Sequence, residues 1–151
     1  MTYGCAPVTV VEKRITMLTL WNDSLSVNQR TLDRDHELLL GIFNRLHDCI
    51  LEKNSKSLVL DLFGELIDSA GEHFWREEQI MRIVKYSGAP AHEAKHRYFE
   101  RQLSILLYQY DVDQSQISAD SLRSLFNLFL THIIEDDRRM VQEIFSYDSI
   151  G

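Results

Sequence analysis

Proline is nearly missing from this chain, with two residues in 151, and glycine supplies only six. A turn-rich all-β fold needs more such breaks. With leucine, isoleucine, glutamate and arginine recurring throughout, the composition points to an all-α fold. Cysteine is as sparse: Cys5 and Cys49 lack the Cys-x-x-Cys spacing of a zinc or redox site. Two free thiols in a reducing compartment are expected. Basic residues are outnumbered, 16 against 23 acidic ones, for a net charge of -7. Nucleic acid is therefore not an expected partner, because phosphate binding needs a basic patch. No run approaches the ~18 apolar residues of a membrane span. Val8 to Val11 is interrupted by Glu12, Lys13 and Arg14, too soon for a secretory segment. The expectation is one cytoplasmic domain with a single core and no membrane contact.

What the chain has in quantity is helical periodicity. From Leu32 to Glu52, Leu39, Leu40, Phe43, Leu46 and Ile50 recur at spacings of three and four, which predicts an amphipathic helix. A polar turn over Lys53 to Ser57 leads to a second stripe of Leu58, Leu62, Leu66, Ile67, Phe74, Ile80 and Met81, reaching about Tyr86. Ser87, Gly88 and Pro90 break it, and Pro90 suits the first position of a third helix running to about Tyr110. After a polar loop, Ser118 or Asp120 can cap a fourth helix that ends near Phe145. Four such helices with short loops predict an up-down-up-down four-helix bundle. Residues 1–20 are expected to form an N-terminal arm, 21–146 the bundle and 147–151 a tail. Trp21 is the expected anchor of the lead-in.

Five of the six histidines fall on these helices in a pattern: His36, His73 followed by Glu77, His92 followed by His96, and His132 followed by Asp136 and Asp137. Residues four apart on an α-helix lie within about 40° on one face, so His73 with Glu77 and His92 with His96 can each point at one centre. A single helical histidine is ordinarily solvent-facing or satisfied in the core. Two such pairs with two further histidines on neighbouring helices are better explained by imidazole and carboxylate ligands of redox-active metals. His47 lies roughly 16 Å along the axis from His36, too far to share the site. Glu78 and Glu37 are rotated away from the ligand faces. On the fourth helix, periodicity favours Asp136, since Asp137 is turned about 140° from His132. A carboxylate shared by two metals can approach from the side, so both remain open on geometry.

Taken together, Leu32-Asp33-Arg34-Asp35-His36, His73-Phe74-Trp75-Arg76-Glu77-Glu78, His92-x-x-x-His96 and His132-Ile133-x-x-x-Asp137 resemble the hemerythrin family, in particular its bacterial branch. The resemblance runs from about Trp21 to Phe145. It implies a non-haem di-iron centre, with His92, His96 and His132 on one iron and His36 and His73 on the other. Glu77 and Asp137 would bridge the irons together with an oxo or hydroxo group. It also implies dioxygen as ligand. The three-histidine iron has six donors and the two-histidine iron five, which leaves one place for oxygen. Phe74, Phe129 and Ile133 match the family's pocket-lining positions. The family usually carries leucine at the place of Phe129 and tryptophan just before it, where this chain has Leu128.

The resulting expectation is a non-enzymatic protein that takes up dioxygen reversibly, for storage, delivery or supply to an oxygen-consuming partner protein. The alternative is an oxygen- or redox-sensing domain acting on a signalling partner, ranked second because no output domain lies in these residues. A di-iron enzyme handling peroxide or nitric oxide ranks third, because the motif's Glu and Asp are used as ligands and the set is rich in histidine. Seven ligands exceed the four of a structural zinc site.

Overall fold

The computed structural model describes residues 18–145, and four long helical rods fill most of that span. They are α1 (Arg30–Leu51), α2 (Lys56–Ile83), α3 (Ala89–Val112) and a fourth rod that begins as α4 (Ala119–Thr131). The fourth rod continues through a π-helical turn, His132–Asp137, into α5 (Arg138–Phe145). Short 3-10 turns occupy Asp23–Leu25 and Gln114–Gln116, and there is no strand among the described residues. The architecture is the all-α, up-down-up-down bundle that the periodicity predicts. α1 packs on α2, α2 on α3, and the fourth rod closes the square against α1 and α3.

Three of the four rods start where a side chain satisfies an unpaired backbone N–H. Gln29 accepts from the Leu32 N–H at 2.8 Å, Ser55 from Leu58 at 3.2 Å and Ser118 from Ser121 at 3.2 Å. Ser118, rather than Asp120, is thus the cap of the fourth rod. α3 starts one residue before Pro90, with Gly88 at its cap. A Cβ on Gly88 would meet the far end of the Tyr86 ring at 2.6 Å, so a side chain there requires that ring to swing aside.

The lead-in packs beside α1. Ser26 Oγ and the Val27 N–H both donate to the Asp33 carboxylate, at 2.6 and 2.9 Å. Leu18, Leu25 and Val27 are buried, whereas Trp21 is only half-buried against the core. The aliphatic residues therefore anchor this segment with Trp21 beside them. Most of the expected arm, Cys5 and the expected tail lie outside the described residues.

Aromatic rings fill the middle of the bundle. Phe43 meets Phe126 edge-on at 5.3 Å and stacks with Phe129 at 5.8 Å, and Phe99 lies 5.5 Å from Phe129 and 5.7 Å from Phe74. Such offset and edge-on pairs contribute beyond their buried area. They form an apolar floor under the polar cluster described next.

Candidate metal centre

All seven of the sequence-predicted ligand residues are buried, and every rod contributes. α1 brings His36, α2 His73 and Glu77, α3 His92 and His96, and the fourth rod His132 and Asp137. Their ligand atoms form two groups. In one, Glu77, His92, His96, His132 and Asp137 offer atoms within 4.8 Å of one another; in the other, His36, His73, Glu77 and Asp137 do so. Glu77 and Asp137 belong to both.

The two carboxylates divide their oxygens between the groups. Glu77 Oε1 lies 2.8 Å from His73 Nε2, while Oε2 lies 2.9 Å from His92 Nε2 and 3.0 Å from His96 Nε2. Asp137 Oδ2 lies 2.9 Å from His36 Nε2, while Oδ1 lies 3.1 Å from His92 Nε2 and 2.9 Å from His132 Nε2. Several of these contacts are not hydrogen bonds. Glu77 Oε1, Asp137 Oδ1 and His132 Nε2 have no hydrogen-bond partner despite their close neighbours. Buried polar atoms left unpaired are costly and rare. Donors aimed at a shared point rather than at one another fit a pair of cations, each held by histidines and one oxygen from each carboxylate.

Asp137 reaches the centre because the rod is locally widened. The Arg138 N–H donates to Ile133 O, five residues back, so the turn from His132 carries one residue more than an α-turn. Helical periodicity assumes a uniform rod and favours Asp136 on that basis. The structure uses both aspartates: Asp137 faces His132 Nε2, and Asp136 Oδ2 accepts from His132 Nδ1–H at 2.9 Å.

Three carboxylates next to ligand positions support histidines from behind. Asp35 meets His73 Nδ1 at 3.0 Å and Glu78 meets His96 Nδ1 at 3.0 Å, each across a helix seam. Each is itself held by a cation: Asp35 by Arg76, Glu78 by Arg97 at 2.5 Å, and Asp136 by Lys95 at 2.5 Å. Such partners fix ring orientation and tautomer. Sequence reasoning missed all three, reading Glu78 as facing solvent or a neighbouring helix. The available signal was position, because a residue adjacent to a ligand is rotated about 100° toward the seam with the next rod. His36 has no such support; its Nδ1 is buried without a partner.

At His132, His73, His92, Glu77 and Asp137 burial opposes charge, yet their mutual attraction wins. His132 is pushed up to about 10 by Asp137 and Asp136. His73 stands well above its ordinary 6.5 through Glu77, Asp137 and Asp35, and His92 is raised by Asp137 and Glu77. Glu77 is lowered, against burial and the repulsion of Asp137, by His73 and His92. Asp137 is held well below the usual carboxylate range by His132, His36 and His73.

His47 is buried but belongs to neither group, and its burial with the nearby Arg123 lowers its pKa. Phe74, Phe129 and Ile133 are all buried. Phe74 stacks on the His96 ring at 4.1 Å, and Phe129 meets His36 edge-on at 6.2 Å. A largely apolar cavity of about 240 Å³ reaches Phe129 and His132 from the seam between α3 and the fourth rod.

Fold and site together define a class: a four-helix bundle whose core carries two adjoining histidine–carboxylate groups able to hold metal ions. The model of the hemerythrin HHE cation binding domain matches residues 27–144. This chain belongs to the hemerythrin family. It is 28% identical over 126 residues to a bacteriohemerythrin of Pseudomonas aeruginosa (strain LESB58), covering 83% of this chain and 80% of that protein. A bacteriohemerythrin of Clostridium acetobutylicum is 24% identical, covering 81% and 98% of the two chains. Myohemerythrin of Sipunculus nudus is 32% identical over 80 residues, 53% of this chain and 61% of that protein. The crystal structure of a wild-type hemerythrin superposes with a TM-score of 0.74 at 24% identity, covering 81% of this chain and 94% of that one. No helix among the described residues is long and apolar enough to cross a membrane.

Proposed function

We propose that this chain binds dioxygen reversibly at a non-haem di-iron centre, serving oxygen storage, delivery or supply in the cytoplasm rather than catalysis. The observation that carries this reading is the division of Glu77 and Asp137 between a three-histidine and a two-histidine group in the same buried cluster. His92, His96 and His132 would hold one iron, His36 and His73 the other, with the two carboxylates and an oxo or hydroxo group between them. The count leaves the two-histidine side one donor short, and that side is where dioxygen would sit. When bound, the iron pair supplies the electrons for reversible attachment of dioxygen.

The chain's own residues supply the rest. Phe74, Phe129 and Ile133 are buried and would line the oxygen pocket and limit water at the cluster. The carboxylates behind His73, His96 and His132 hold those rings in place. With Glu77 and Asp137 both used as metal ligands in this reading, neither is free to act as a general acid, which favours a binder over an enzyme.

The test is an anaerobic titration of the reduced protein with oxygen, followed optically. The expected result is about two irons per chain and a visible absorption that appears with oxygen and disappears on its removal. Iron near one per chain, or no spectral change, overturns the proposal. Steady-state turnover with an added reductant would transfer the chain to the enzyme class.

A further inference from the structure

Among the five histidines of the centre, His132 and His92 are the least enclosed, at 9% and 5% exposure, while the other three are at 1% or less. The reason is local. Two cavities approach the cluster on this side. The apolar one of about 240 Å³ reaches His132, and a more polar one of about 300 Å³, lined by Tyr86, Arg139 and Glu143, reaches His92. Lys95 and Asp136 line both, so this ion pair is the wall between them. An imidazole beside open space can rotate out of place more cheaply than one packed on all sides. His132 is therefore the ligand that most needs an external hold.

We infer that Asp136, locked by Lys95, is the positioning residue of His132, a role distinct from the shared carboxylate of Asp137. The inference rests on the metal-centre reading above. His132 is gripped at both nitrogens by consecutive residues: Asp136 Oδ2 lies 2.9 Å from Nδ1 and Asp137 Oδ1 2.9 Å from Nε2. Unlike Asp35 and Glu78, Asp136 supports a ligand on its own rod, one turn away. The π turn permits this. It lets the fifth residue face the centre while the fourth stays behind the ring. Lys95 comes from α3, so its 2.5 Å bond to Asp136 Oδ1 also ties the fourth rod to the helix that carries His92 and His96. With iron bound, the charge of Asp136 would make the His132 ring a stronger donor and so favour the ferric over the ferrous state.

The test compares iron-loaded wild type with Asp136→Ala, Asp136→Asn and Lys95→Met, measuring iron retained against a competing chelator and the midpoint potential of the centre. Asp136→Ala is expected to lose one iron at roughly 10- to 100-fold lower chelator concentration, keep the other, and raise the potential. Asp136→Asn still accepts from Nδ1–H but lacks the charge; it is expected to retain iron better than Asp136→Ala yet share its raised potential. Lys95→Met changes an exposed side chain and leaves Asp136 in place, so it folds whatever Asp136→Ala does. Its expected effect is a few-fold loss of retention and a smaller rise in potential. Wild-type retention and potential in all three variants would overturn the inference. A wild-type protein that takes up no iron would instead overturn the metal-centre reading itself.

Discussion

At the scale of single residues, Asp137 is the side chain on which both halves of the cluster depend. Its oxygens lie 2.9 Å from His36 on one side and 2.9 Å from His132 on the other. Asp137→Ala deletes a donor to each group and removes the carboxylate beside His36, His92 and His132. Iron content is expected to fall from about two per chain to about one or less, because both metals lose a ligand. An iron assay on the purified variant decides it, and unchanged content would refute the shared role. The histidines themselves were legible in the sequence, since spacing by four puts His92 with His96 and His73 with Glu77 on one face. Periodicity alone favours Asp136 and leaves both aspartates open, while the family resemblance points to Asp137. The approach of Asp137 depends on a widened turn that treating the rod as uniform misses. Asp35 and Glu78 were missed for a related reason: position turns them toward a seam, but a face computed for one helix does not say which side chain lies across it.

At the scale of elements, the first two helices end in the same way without the usual glycine. Lys53 and Lys85 adopt φ of 52° and 54°, in the left-handed region. In each case the next residue closes the helix end: Asn54 N–H bonds Cys49 O at 3.0 Å, and Tyr86 N–H bonds Met81 O at 2.9 Å. Glycine is the residue this position favours, because a Cβ there crowds the following carbonyl. Lys53→Gly is expected to stabilise the fold by about 1 kcal/mol, a rise of roughly 3 °C in Tm. Thermal unfolding checks this, and a fall would mean that the lysine side chain contributes more than its backbone strain costs. The same ends explain why helix boundaries read from the sequence were close but displaced. The pattern marks the last apolar residue of the stripe, whereas the chain leaves the helix where a residue turns left-handed. Over the lead-in, the aromatic ring of Trp21 was the more conspicuous signal, yet the fully buried side chains are the aliphatic Leu18, Leu25 and Val27.

At the scale of the whole molecule, the centre couples stability to pH with a sign that metal should reverse. Before metal enters, protons on His132, His73 and His92 help hold the cluster. His132, raised from 6.5 to about 10, contributes stability that is fully present below pH 6.5 and is lost as the pH rises toward 10. Asp136, lowered from 3.8 to about 2 by His132 and Lys95 against the effect of burial, contributes stability that is present above pH 3.8 and is lost as the pH falls toward 2. His73 and His92 are raised and Glu77 and Asp137 lowered, so they act in the same two senses. The metal-free protein is therefore expected to be most resistant to denaturation between the carboxylate and histidine ranges, in mildly acidic solution. A metal must displace those imidazole protons, so its binding releases them and strengthens as the pH rises. Loading with ferrous iron is expected to move the stability maximum toward neutral or alkaline pH and to acidify a weakly buffered solution during titration. Denaturation curves of metal-free and loaded protein across pH, with a parallel proton-release measurement, test this. Identical pH optima, or loading without proton release, would mean that the histidines of the cluster are not the groups on which the metal acts.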